Sequence, residues 1–140
     1  MPRIIPSFLL SIGLVVALLS AGCGGFGFAY QKKLSGKYGL VAVDELHQME
    51  VAEMLPSGDA IGVIPATVFA VGWDEHFIIA KQHPMDADHH TDSLVTKFYI
   101  LQVSDGTLFG PFDEPAFNAE RVKRAVSEGL SFTLVFDSLK

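Results

Sequence analysis

Three imidazoles and three carboxylates fall within one short stretch of this 140-residue chain, at His83, Asp86, Asp88, His89, His90 and Asp92. Neutral imidazole nitrogen and carboxylate oxygen are ligands for zinc and copper, and Met85 among them adds a soft sulfur suited to Cu(I). The spacing restricts that chemistry. His89 and His90 are adjacent and point to opposite sides of an extended chain, so only an irregular loop aims both inward. Pro84 stiffens the backbone beside His83. Calcium fits worse: with Asp86 as the first position of a calcium loop, Thr91 stands where glycine is needed and Lys97 where glutamate is needed. The plain reading is a solvated loop between strands; the reading with chemistry is a zinc or copper site.

Other reactive residue types form no pattern. Ser57, Ser93, Ser104 and Ser127 lack the surroundings of a nucleophile elbow. Asp44-Glu45 and Asp74-Glu75 are adjacent pairs, whereas paired-carboxylate hydrolysis needs two groups facing across a cleft, so each pair reads as a strand end. Arg121, Lys123 and Arg124 read as a solvated helix face. Gly25-Phe26-Gly27 has neither the preceding strand nor the following helix of a phosphate loop. With no catalytic constellation visible, the chain reads as non-enzymatic.

The only cysteine carries a different message. One positive charge, Arg3, precedes an apolar run from Phe8 to Leu19, and then Ser20-Ala21-Gly22 leads into Cys23. The run is short for a bilayer span and suits a secretion signal, and the small residues admit a peptidase. Leu19-Ser20-Ala21-Gly22-Cys23 resembles the lipobox of bacterial lipoproteins, with Ser20 where leucine is commoner. That resemblance implies diacylglycerol on the Cys23 thiol, removal of residues 1–22 and acylation of the new terminus. It also implies an extracytoplasmic, membrane-anchored envelope protein. Because Gly24 follows in place of aspartate, the family's sorting logic implies the inner leaflet of the outer membrane in a bacterium with two membranes.

Composition narrows the partners. Loss of Arg3 with the signal leaves 9 basic against 16 acidic residues, a net charge of −7. Such a body is repelled by nucleic acid and anionic head groups. With its one thiol assigned to lipid, the mature chain has no disulfide and no cysteine nucleophile, so packing alone holds it together. No apolar stretch after Cys23 approaches the ~20 residues of a spanning helix.

The elements that must position these residues read as one α+β domain over residues 37–140, behind a glycine-rich tether over residues 23–36. In the tether, Phe26, Phe28 and Tyr30 alternate, which fits a membrane-interface segment or a short first strand. Strands are expected from Lys37 to Asp44, Ala66 to Trp73, His76 to Lys81, Leu94 to Val103 and Thr107 to Phe109. Asp74-Glu75 and Asp105-Gly106 are the hairpin turns. Residues 45–55 fit a helix through Leu46, Met49 and Ala52 and a strand through Met49, Val51 and Leu55; the flanking strands favour strand. Pro56-Ser57-Gly58-Asp59 is a turn. Asp113 caps a helix with Glu114 and Pro115 in its first turn, an apolar stripe at Ala119, Val122 and Val126, and Gly129 at its end. Leu130 to Phe136 is a last strand or a packed tail. The sum is an antiparallel meander of five to seven strands with one C-terminal helix. Trp73 is expected to pack on the core or the hairpin turn.

Residues 71–82 (Val-Gly-Trp-Asp-Glu-His-Phe-Ile-Ile-Ala-Lys-Gln), then Lys97-Phe98-Tyr99-Ile100-Leu101, then Leu108-Phe109-Gly110-Pro111-Phe112 before a helix, resemble a group of small bacterial lipoproteins. That uncharacterised family has no assigned activity. The resemblance implies a β-rich extracytoplasmic domain and supplies no catalytic residues. The functional expectation is a lipid-anchored, non-catalytic binding or accessory module of the cell envelope, without nucleic acid and with an envelope protein as possible partner. Its alternative is metal binding by the loop from His83 to Asp92.

Overall fold

Apolar runs too short for helices, punctuated by Gly, Pro and Asp turns, form strands throughout residues 27–140, the part that the computed structural model describes. Residues 1–26, with the expected signal and Cys23, lie outside the described residues. Four strands make the first sheet in chain order: β1 (Tyr30–Lys33), β2 (Tyr38–Ala42), β3 (Glu50–Met54) and β4 (Ala60–Ile64). The second sheet contains β5 (Val68–Trp73), β6 (Phe77–Gln82), β7 (Lys97–Gln102), β8 (Leu108–Phe112) and the two-residue β9 (Leu134–Val135). Its spatial order is β8-β7-β6-β5-β9, and every pairing in both sheets is antiparallel. The helix α1 (Glu114–Lys123) follows β8.

The antiparallel meander and the single late helix match the sequence reading. The strand number does not: nine strands in two sheets replace five to seven in one. One added strand is β1, which falls inside the expected tether and realises the short first strand, shifted to the polar Tyr30–Lys33. Residues 45–55 combine features of both readings, a 3₁₀ turn at Leu46–Gln48 followed by β3. Leu94 is not in a strand; β7 begins at Lys97.

The two sheets pack face to face. Leu40, Val51 and Ile64 from the first, with Met49 just before β3, meet Val68, Val71, Ile78 and Leu101 from the second, all with no exposed surface. The central strands β6 and β7 are buried on both faces, which explains their unbroken apolar runs. Ile78, Ala80, Tyr99 and Leu101 face the first sheet, and the alternate residues Ile79, Phe98 and Ile100 face the helix layer. There Phe117 of α1 packs against Phe98 in a tilted pair, ring centres 4.9 Å apart, with Phe132 at 6.0 Å from Phe117. Burying a phenylalanine of this kind contributes about 1.5–3 kcal/mol. Gly72 is what lets the tail lie on the sheet: a side chain there would come within 1.9 Å of the Ser131 carbonyl oxygen. Trp73 is half-buried against the first core with the Lys32 ammonium 5.8 Å over its ring.

Helix α1 starts as expected and ends early. Asp113 accepts the Ala116 N–H at 2.9 Å, satisfying a free donor of the first turn. The end comes at Lys123, before Gly129, because Ala125 turns left-handed at φ 54°. That reversal returns Val126 and Leu130 to the sheet. Val122 is thereby left 82% exposed and Ala119 also faces solvent; of the expected stripe only Val126 is buried, and Phe117 and Leu130 join it.

Candidate functional site

Because neighbouring strands alternate in direction, the sandwich has two unlike ends. At the near end, where the chain joins the fold, the Ala29 N–H donates to the Val43 carbonyl at 2.9 Å. That end gathers residues 43–49, 65–67, 83–96 and 136–140. The far end holds the turns at residues 34–37, 55–59, 74–76 and 103–107. The His83–Asp92 stretch therefore lies on the same end as the chain's N-terminal approach.

Within that stretch the six candidate ligands separate. His83 is buried, its ring stacked on Phe69 at 4.1 Å and its Nδ1 2.8 Å from the Val95 carbonyl oxygen. It belongs to the core and is not available as a ligand. Asp92 holds a turn, its Oδ1 accepting the Leu94 N–H at 3.1 Å. His89 occupies the left-handed turn position at φ 62°. Asp86, Asp88 and His90 do converge, with one ligand atom of each within 4.8 Å of the others, all exposed. Among the described residues no second trio of histidine and acidic side chains comes so close. Tetrahedral zinc sets its ligand atoms ~3.4 Å apart, so this trio would have to tighten around an ion.

Asp86 organises the trio through backbone amides. Its Oδ1 accepts N–H groups from Asp88 at 2.9 Å and His90 at 2.8 Å, and its Oδ2 lies 3.5 Å from His90 Nδ1. The His90 N–H is the main reason that the Asp86 carboxyl is held below the ordinary 3.8, with the Asp88 N–H and the His90 ring adding to it. A bridge between Met85 and Thr91 narrows the base of this turn. The Thr91 hydroxyl is 3.0 Å from that of Thr67, which also donates to the His47 carbonyl, so the loop is fastened to the 3₁₀ turn at Leu46–Gln48. A cavity of about 190 Å³ sits among His47, Thr67, Thr91, Ser93 and the C-terminal residues 138–140.

The remaining candidates are structural. Asp44 and Glu45 follow the end of β2, where the Gln48 side chain accepts both their N–H groups. Asp74 closes the β5–β6 hairpin by accepting the N–H groups of His76 and Phe77, each at 2.8 Å. Arg121 is not a free cation: it donates to the carbonyls of Ser127 at 2.9 Å and Leu130 at 2.6 Å. Arg124 pairs with Glu120 at 3.0 Å and lies 3.3 Å over the Phe109 ring. The first arginine ties the helix to the tail beyond it, and the second ties it to β8. Ser57 donates to Asp59 at 3.0 Å within its turn.

Two features had no counterpart in the sequence reading. Leu94 is 96% exposed on a hydrogen-bonded turn, although a leucine beside an apolar run reads as part of a strand. A groove of about 390 Å³ at the far end is rimmed by Lys32, Lys33 and Lys37 over Met54 and Pro56. Two of its ammonium groups already have partners, Lys37 with Glu53 at 2.8 Å and Lys32 with Trp73.

Residues 35–137 match the family described as "Protein of unknown function (DUF3997)". The chain belongs to that family. No curated protein and no solved structure matches it.

Proposed function

We propose that this DUF3997 protein is a lipid-anchored, non-catalytic module of the cell envelope, held through a thioether-linked diacylglycerol on Cys23. One observation carries the reading: Leu19-Ser20-Ala21-Gly22-Cys23 ends a short apolar run, and the first strand begins only at Tyr30. Residues 23–29, fully extended, span at most ~25 Å, so an anchored body stays close to its bilayer. Its partner on this reading is another envelope component. Acyl chains on one cysteine are sufficient for such an anchor, because each buried methylene contributes about 0.8 kcal/mol. Intact mass measurement of protein purified from membranes of a producing bacterium tests it. A mature chain starting at an acylated Cys23, and release of the Cys23→Ala variant into the soluble fraction, are expected. An unmodified Cys23 thiol refutes the anchor.

A second reading rests on the convergence of Asp86, Asp88 and His90: that this trio takes up zinc or copper. Two carboxylates and one imidazole suit zinc, and Asp86 Oδ2 is the oxygen left over after Oδ1 has accepted two amides. Equilibrium dialysis of the full chain with zinc and with copper decides it. Sub-micromolar binding that disappears in His90→Ala supports the site, and millimolar binding removes it.

A further inference from the structure

We infer that the near end of the sandwich is a lipid-contacting face, with Leu94, Val43 and Leu46 as its contact points, so that the anchored domain stands end-on to the bilayer. The inference rests on the anchor reading above and adds to it the face that meets the membrane.

Leu94, Val43 and Leu46 are 96%, 50% and 41% exposed. Ile61 on β4, Val122 on α1 and Val135 on β9 are exposed too, but Leu94, Val43 and Leu46 gather at one end. Val43 receives the Ala29 N–H, so it sits where the chain joins the fold. Leu46 adjoins His47 and Leu94 adjoins Ser93, and these two neighbours line the same cavity. No large apolar side chain of comparable exposure occurs on the four turns of the far end among the described residues. Exposed leucines that stand alone need no explanation, whereas several sharing one end of a fold mark a contact surface.

Leu94 is also held out. Asp92 accepts its N–H and, through its carbonyl, the Val95 N–H at 3.3 Å. The Pro84 carbonyl accepts the Asp92 N–H at 2.9 Å, and the Val95 carbonyl meets the buried His83 ring. The turn that presents the leucine is thus tied into the core through His83 and Phe69.

The proposed anchor at Cys23, a few residues before Ala29, makes lipid the partner. The ~25 Å limit on residues 23–29 applies to the near end, since Ala29 is fixed there. Attachment makes the encounter intramolecular, so even weak insertion of a few apolar side chains is populated. Charge sets the lipid class. Asp44, Glu45, Asp86, Asp88 and Asp92 share this end, so a zwitterionic surface is accepted and an anionic one repels it.

The test uses the full acylated chain reconstituted in phosphatidylcholine vesicles, where acylation of Cys23 leaves an introduced cysteine as the only reactive thiol. An environment-sensitive fluorophore is placed by Ser93→Cys at the near end or by Glu75→Cys at the far end. The Ser93 probe is expected to shift to the blue and to be quenched by spin-labelled lipid, with the Glu75 probe unaffected. Adding Leu94→Asp, or one-third phosphatidylglycerol, should reduce that quenching at least twofold while the protein still floats with the vesicles. Flotation with both probes in water, or with the Glu75 probe quenched, overturns the inference and leaves the anchor intact. Protein that is not acylated and does not float overturns the anchor reading and this inference with it. Shielding of the Ser93 probe only when other membrane proteins are present assigns the face to a protein and overturns the lipid contact.

Discussion

The far end of the sandwich reverses the chain in tight turns, and the near end takes the long routes, above all residues 83–96. Far-end turns are closed by local chemistry: Gly36, Gly58 and Gly106 at positive φ, and Asp74 and Asp105 accepting amides one turn on. Near-end loops also contain hydrogen-bonded turns, but they expose what the turns hold, namely Leu94 and the Asp86–Asp88–His90 trio. The difference separates two tasks. One end fixes strand register, and the other presents side chains from a scaffold that the first makes rigid.

Substitutions can sharpen or break that division. The largest effect is expected from Gly106→Val at the far end, where φ is +74° and a side chain would meet the Tyr38 hydroxyl at 2.6 Å. About 3 kcal/mol of stability should be lost in thermal unfolding. His83→Ala tests the one place where the near-end loop reaches the core; losing the Phe69 stack and the Val95 bond should cost about 2 kcal/mol. Asp74→Ala should cost about 1 kcal/mol, since two far-end amides lose their acceptor to water. Asp86→Ala should leave the melting temperature nearly unchanged and speed amide exchange at Asp88 and His90. An equal loss of stability from Asp86→Ala and Asp74→Ala would erase the distinction between the ends.

Acid provides the mildest test. Asp86 at the near end and Asp105 at the far end both have carboxyls below the ordinary 3.8, each chiefly through a backbone N–H, from His90 and Thr107 respectively. A lowered value in the folded state means that their stabilisation is complete above pH 3.8 and fades as pH falls below it through the folded values. The Asp88 and Thr107 amide resonances followed by NMR should therefore have titration midpoints below pH 3.8. Movement near neutrality would show that other groups control these turns.

Much of the meander was legible because hairpin turns have strong local signatures. Asp74-Glu75 and Asp105-Gly106 were readable for that reason, and so was the helix start at Asp113. Partition into two sheets was not, since a period of two fixes which residues share a face but says nothing about which strands pair. β1 was obscured by its Gln-Lys-Lys composition, that of a charged edge strand. Of the helix stripe, Val126 is buried as read but Ala119 and Val122 are not, since the spacing from Val122 to Val126 runs across the left-handed Ala125, where helical periodicity no longer applies. In the metal-like stretch, composition showed ligand types but could not show that His83 turns inward while Asp86, Asp88 and His90 turn out. That sorting depends on Phe69, a residue on another strand.

Among the described strands, nearly every partner is the next one along the chain; β9, which joins Ala70 and Val71 to Val135 and Leu134, is the exception. Closing a short loop costs less entropy than closing a long one, so neighbouring hairpins zip quickly and distant segments dock late. A chain emerging amino terminus first can complete its leading four-strand sheet before the remainder has appeared. The carboxyl-terminal latch then sets the pace of maturation: without residues 131–140, the hairpins should still assemble, but the flank of β5 would stay open to whatever strand arrives next.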